Sequence, residues 1–196
     1  MISILDYGSG NLRSAQRAFE LTGHSVTISS SSESFLNADA YVIPGVGAFG
    51  ACMQQLISIG GDQLVREAVA TGKPVFGICV GMQIFFSEGL EKGVHQGLGI
   101  FDGQVSEISA PVLPHIGWNS VEDSSPLFAG VEDQSFYFVH SYAAKISPSN
   151  SNSTWTTYGE RFVSAVEKDN VFITQFHPEK SGDAGLQLIK NWAASI

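Results

Sequence analysis

Gly77-Ile78-Cys79-Val80-Gly81 restricts the fold of this chain more tightly than any other stretch. It follows the apolar run Pro74-Val75-Phe76 and precedes another that starts at Met82. Small residues two positions either side of a central one let a strand turn sharply into a helix. The central side chain is then strained and exposed at the tip, and the next backbone N–H points to the same spot. The pattern calls for a strand that ends here and a helix that begins here, with the partly positive helix N-terminus beside the Cys79 sulfur. A buried structural cysteine between packing glycines fits these five residues equally well.

The flanking segments read as the sheet that such a turn needs. Strand patterns fall at 2–5, 25–28, 40–43 and 75–78. Between them, helical periodicity covers 11–21, with Leu12, Ala15, Ala18 and Phe19 near one face, and 50–70, interrupted at Gly60-Gly61; it resumes over 81–87. Strands and helices in alternation predict a parallel sheet with helices on both faces. The second half changes character, with strands expected at 99–108, 118–121, 136–142, 155–158, 162–167 and 171–176. An amphipathic helix over 183–194 follows, with Leu186, Leu188, Ile189 and Ala193 suited to packing. The later strands would add antiparallel edges, giving a mixed, largely parallel sheet. The serine- and asparagine-rich piece 147–153 reads as a polar surface loop. No repeat or domain boundary is visible, so 1–196 is expected to form a single domain.

Composition excludes several classes. With 43% hydrophobic and 15% charged residues, the chain reads as globular and not disordered. A formal net charge of -9 without a Lys/Arg cluster argues against nucleic acid. No apolar run approaches membrane-spanning length, and the N-terminus lacks the basic start and cleavage site of a signal peptide. Cys52 and Cys79 are the only cysteines, which suits reduced thiols in the cytoplasm better than a disulfide scaffold. No histidine pair has metal-ligand spacing and C-x-x-C is absent, so neither a metal nor a cofactor is expected.

Ligands of open parallel sheets bind beyond the carboxyl ends of the strands. Three loops fall there: 7–11, the glycine-rich 44–50, and the Cys79 turn. The 44–50 segment lacks a Walker lysine and a G-x-G-x-x-G pattern; it suits a backbone oxyanion donor opposite Val80 N–H, or a plain tight turn into a helix. A cysteine nucleophile needs a base, and the base needs an orienting group. His177 ends a strand candidate and is followed by Pro178-Glu179. In extended geometry residues i and i+2 point the same way, so Glu179 could hold one ring nitrogen while the other faces Cys79. A strand-end histidine with a solvated glutamate is the alternative. Of the other histidines, His115 reads as a partly buried hydrogen-bonding residue and His140 as part of a half-buried strand. His24 and His95 read as solvated turn residues, and Cys52 as a packing residue on a helix.

Taken together, 44–50, 77–83 and 175–179 resemble the class I, triad-type glutamine amidotransferases. The segments Asp6–Asn11, Pro44–Phe49, Pro114–Asn119, Tyr137–Tyr142 and Gln175–Ser181 look like the branch that serves imidazole glycerol phosphate synthase in histidine biosynthesis. The resemblance implies a flavodoxin-like, three-layer α/β fold and hydrolysis of glutamine to glutamate and ammonia. It implies Cys79 as nucleophile, His177 as general base and acid, and Glu179 as its orienter. Gly45, Val46, Gly47 and Val80 would line the oxyanion site, and Gln83, Glu91 and Ser141 would contact glutamine. Glu91 fits less closely, because the spacer Glu88-Gly89-Leu90 departs from the acidic run common there. A separate (β/α)8-barrel cyclase is the implied partner in a heterodimer with a covered ammonia path, met by Asn11, Trp118, Tyr137 and Lys180. A glutaminase subunit of anthranilate or pyridoxal phosphate synthesis, or a cysteine hydrolase or peptidase on a related fold, are the rival readings. The 114–119 and 137–142 segments count against the first two.

Overall fold

The computed structural model describes residues 1–30, 37–122 and 125–196. Its strands are β1 (Ile2–Leu5), β2 (Val26–Ser29), β3 (Ala40–Gly45), β4 (Val75–Cys79), β5 (Phe86–Gly89), β6 (His95–Gln96), β7 (Phe101–Glu107), β8 (His115–Ser120), β9 (Ser135–His140), β10 (Tyr142–Ala144), β11 (Asn152–Tyr158), β12 (Glu160–Lys168) and β13 (Val171–Thr174). The helices are α1 (Leu12–Glu20), α2 (Phe49–Ser58), α3 (Gly61–Ala70), α4 (Val80–Gln83) and α5 (Gly182–Ala193), with 3-10 turns at Pro126–Phe128 and Pro178–Lys180. No described helix is long and apolar enough to cross a membrane.

The main sheet runs β11-β12-β13-β4-β3-β1-β2. Strands β13, β4, β3, β1 and β2 are parallel, and β12 and β11 add antiparallel pairs at one edge. This is the mixed, largely parallel sheet expected from the alternation of strand and helix. Consecutive strand residues face opposite sides, and β4 uses that to seat two layers. Phe76 meets Phe19 of α1 and Trp192 of α5 edge-on, at 5.5 and 5.4 Å between centroids. On the other side, Gly77 has no Cβ, and one built there would lie 2.8 Å from the Gly81 carbonyl of α4. Strands β10-β7-β5-β6 form a second sheet, and β8-β9 a hairpin.

Several expectations need correction. The helix expected over 81–87 stops at Gln83, and Phe86 enters β5 beside Phe101. The following segment takes the carbonyls that further helical turns would use: Leu98 N–H donates to Ile84, Gly99 N–H to Phe86, and Phe101 N–H to Phe85. The strand expected over 136–142 breaks at Ser141 into β9 and β10, which belong to different sheets. Segment 44–50 is mostly not loop, because Pro44 and Gly45 finish β3 and Phe49 begins α2. His95, expected in a turn, pairs with Gly89 in the short β6, and Asn152 and Ser153 join β11 instead of the surface loop.

Candidate active site

Cys79 ends β4 with φ 58° and ψ -114°, a left-handed conformation that a non-glycine residue adopts only where its surroundings enforce it. Two close approaches enforce it. A Cβ on Gly81 would lie 1.9 Å from the Ile43 carbonyl, and one on Gly45 would lie 2.3 Å from the Gly81 nitrogen. Only glycine at these positions lets α4 begin directly on β3. Helix α4 therefore starts at Val80 with the unpaired N–H groups of a first turn beside Cys79.

Cys79 and His177 line one pocket of about 270 Å3, with Val46, Gly47, Val80, Gln83, Glu91 and Ser141 around them. All eight were expected at the site. Gly45 and Glu179 stand behind its wall, beside His177. His177 Nδ1 is 2.8 Å from Glu179 Oε1, both side chains are 3% exposed, and His177 Nε2 is buried without a hydrogen-bond partner. Burial pulls the His177 imidazole down, but the Cys79 sulfur and then the Glu179 carboxylate more than offset it and hold it up at about 10. The expected pair is thus present by a different route. Residues Pro178–Lys180 form a 3-10 turn and not extended chain, and the turn brings Glu179 back to the ring.

Val46, in the loop expected to supply a backbone oxyanion donor, is hydrogen-bonded through both its N–H and its carbonyl. Its N–H donates to Ser9 Oγ at 2.9 Å, and its carbonyl lies 2.9 Å from Ser9 Oγ and 3.2 Å from Cys52 Sγ. Cys52 is therefore more than a packing residue: burial pushes its thiol up, keeping an S–H available for that carbonyl. Gly45 serves close packing, while Gly47, at φ 91°, lines the pocket. Glu91 Oε2 accepts the Phe49 N–H at 3.1 Å, so part of this carboxylate caps α2. Gln83 Nε2 donates to the Tyr142 carbonyl at 2.8 Å and to Gln175 Oε1 at 3.0 Å, leaving Gln83 Oε1 for an incoming donor.

Sequence reasoning did not single out Gln175, whose Nε2 is 3.9 Å from Cys79 Sγ, or the pocket-lining Tyr142, Val139 and His140. Gln175 was findable, as a polar residue two before His177 in an apolar run. Of the expected rim residues, Trp118 is 58% exposed and stands edge-on to Tyr137, whose ring lies under the Lys180 ammonium. Asn11 caps α1, which packs on the Pro178–Lys180 turn.

Comparison with known proteins identifies the family and the fold. The family described as glutamine amidotransferase class-I matches residues 3–195. The imidazole glycerol phosphate synthase subunit HisH of Thermobifida fusca is 50% identical over 207 residues, spanning 100% of this chain and 98% of that protein. The HisH subunit of Mycobacterium bovis is also 50% identical, over 100% of this chain and 98% of that protein. Among solved structures, a glutamine amidotransferase superposes with a TM-score of 0.78 at 18% identity, covering 98% of each chain. PurLQS from Thermotoga maritima superposes with 0.73 at 17% identity, over 99% of this chain and 97% of that one. At those identities the solved structures attest the fold.

Proposed function

The chain belongs to the class-I glutamine amidotransferases, in the branch of the imidazole glycerol phosphate synthase HisH subunits, and on that premise we propose that Cys79 attacks the side-chain amide of glutamine. The observation that carries the reading is a strained cysteine sharing one pocket with a buried His–Glu pair. Sγ adds to the amide carbon while His177 takes the thiol proton. The tetrahedral oxyanion then collapses, the proton passes to the departing nitrogen, and ammonia leaves a glutamyl thioester. Water, deprotonated by His177, cleaves the thioester to glutamate and restores the thiol.

The electrostatics suit both halves of this cycle. The Cys79 sulfur and the Glu179 carboxylate favour the imidazolium that protonates the leaving nitrogen. In the thioester the sulfur is bonded to carbon and no longer favours the imidazolium, so the neutral His177 ring can accept a proton from water. Val80 N–H is one oxyanion donor. The second is Val46 N–H after its release from Ser9, and Gln83 Oε1 and the Glu91 carboxylate receive the amino-acid donors of glutamine.

The ammonia goes to a cyclase subunit. The exposed Trp118 and Ile116, with Tyr137, Lys180 and Asn11, form the rim that meets it in a cytoplasmic heterodimer with a covered ammonia path. The full-length relatives favour this partner over other ammonia-using synthases. The test is glutamate formation by the chain alone and with the cyclase of an imidazole glycerol phosphate synthase plus its nucleotide substrate. Stimulation of about tenfold or more is expected, within the usual range of coupling between sites. Full activity of the isolated chain would contradict the coupling, and loss of none of it in Cys79→Ala would contradict the nucleophile.

A further inference from the structure

Two buried histidines outside the Cys79–His177–Glu179 group form a chain of hydrogen bonds that ends on the pocket. His140 Nδ1 is 3.0 Å from the Tyr142 carbonyl, His140 Nε2 is 3.2 Å from His115 Nδ1, and His115 Nε2 is 3.4 Å from Asn119 Nδ2. His115 and His140 are 2% and 6% exposed, and His115 is stacked on Tyr158 with centroids 4.0 Å apart.

The partners fix every proton in the chain. A carbonyl only accepts, so His140 Nδ1 carries the hydrogen and its Nε2, in the neutral ring, is an acceptor. His115 Nδ1 must then donate, which leaves His115 Nε2 to accept from Asn119 Nδ2. Asn119 cannot be turned over, because its Oδ1 accepts the Ser120 N–H at 2.9 Å and its Nδ2 donates to the Thr157 carbonyl at 3.1 Å. Protonating either ring would put two donors face to face somewhere along the chain. Burial supports the neutral forms, pushing His115 down to about 4 and His140 to about 3.

The last acceptor is shared. The Tyr142 carbonyl takes both His140 Nδ1–H and Gln83 Nε2–H, and Gln83 continues to Gln175 beside Cys79. The bond from His140 to the residue two positions on also closes the bend at Ser141 that separates β9 from β10. Ser141, Tyr142 and Gln83 all line the pocket. We infer that His140, held in one tautomer by His115 and Asn119, is a positioning residue that sets Ser141 and Gln83 for the bound amide substrate. The inference rests on the glutaminase reading above, since it assigns the segment 140–142 to substrate binding.

Asparagine and glutamine substitutions separate positioning from bulk. An Asn amide nitrogen falls near the Nδ1 position of histidine and can still donate to Tyr142, whereas a Gln amide nitrogen falls near Nε2 and cannot. In the chain assembled with the cyclase, His140→Gln should raise the KM for glutamine roughly tenfold, as expected when a shared acceptor loses one of its two donors, with kcat much less affected. His140→Asn should recover most of that loss. Equal KM values for the two variants, in a wild-type complex that hydrolyses glutamine, would overturn the positioning role while leaving the glutaminase reading intact. A wild-type complex inert toward glutamine would instead overturn that reading. Side-chain nitrogen-15 NMR of the wild-type chain decides the tautomers independently of activity. Nδ1–H forms of both rings near neutral pH are expected, and an Nε2–H or doubly protonated His140 would overturn the inference.

Discussion

At the scale of single residues, the chemistry of this chain was visible wherever it sits in a short motif and hidden wherever it is assembled from distant segments. Cys79 was legible because its flanking glycines announce the turn. Glu179 was found through an extended-strand argument although a 3-10 turn begins at Pro178; His177 itself is extended, at φ -101° and ψ 93°, as that argument required. Ser9 was not legible, because nothing local says that its hydroxyl will hold a peptide 37 positions away. That hydroxyl carries a prediction. Ser9→Ala removes the acceptor of the Val46 N–H and should raise the glutaminase rate of the isolated chain several-fold, a part of the roughly 100- to 1,000-fold that a fully placed oxyanion donor supplies. An unchanged or lower rate in a well-folded Ser9→Ala chain would show that Val46 is not the missing donor.

At the scale of elements, the first half of the fold was readable because each strand and helix keeps its own period. Helix 81–87 was misread for a different reason. Its apolar run Met82–Phe86 is compatible with helix and with buried strand, and segment 98–101, remote from any local pattern, decides by capturing the carbonyls of Ile84, Phe85 and Phe86. The seating of α4 on β3 is the element contact most sensitive to change. Gly81→Ala would drive a methyl into the Ile43 carbonyl, and the helix would have to lift from the strand. A loss of more than about 3 kcal/mol in chemical denaturation is expected, in the range reserved for overpacked or strained sites. A Gly81→Ala chain of wild-type stability would mean that α4 is free to move at its first turn.

At the scale of the whole molecule, buried histidines give stability a two-sided pH dependence. His177 holds its proton up to about 10 when folded, against its usual 6.5, so its contribution is complete below 6.5 and is lost as pH rises through 10. His115 and His140 act oppositely. They cost nothing above 6.5, and folding weakens as pH falls from 6.5 toward 4, because the unfolded chain takes up protons that the folded rings refuse. The limiting slope is about 1.4 kcal/mol per pH unit for each histidine. Urea denaturation should show a maximum at about pH 6 to 7, and His140→Asn should flatten the acid limb. A stability curve flat from about pH 5 to 8 would contradict this balance.

The exposed Trp118 and Ile116 belong to the same scale, because alternate residues of β8 present them together on one face of the rim, where the proposed partner would cover them. The sequence could propose that rim by resemblance but could not show Trp118, Tyr137 and Lys180 touching. The central claim is that Cys79 alone forms the covalent bond to glutamine. Its most direct test is labelling of the assembled synthase with a glutamine analogue that carries a diazoketone in place of the side-chain amide, followed by peptide mass spectrometry. One adduct per chain on Cys79, prevented by excess glutamine, is the expected result. An adduct on Cys52, or loss of turnover with Cys79 unmodified, would contradict the account.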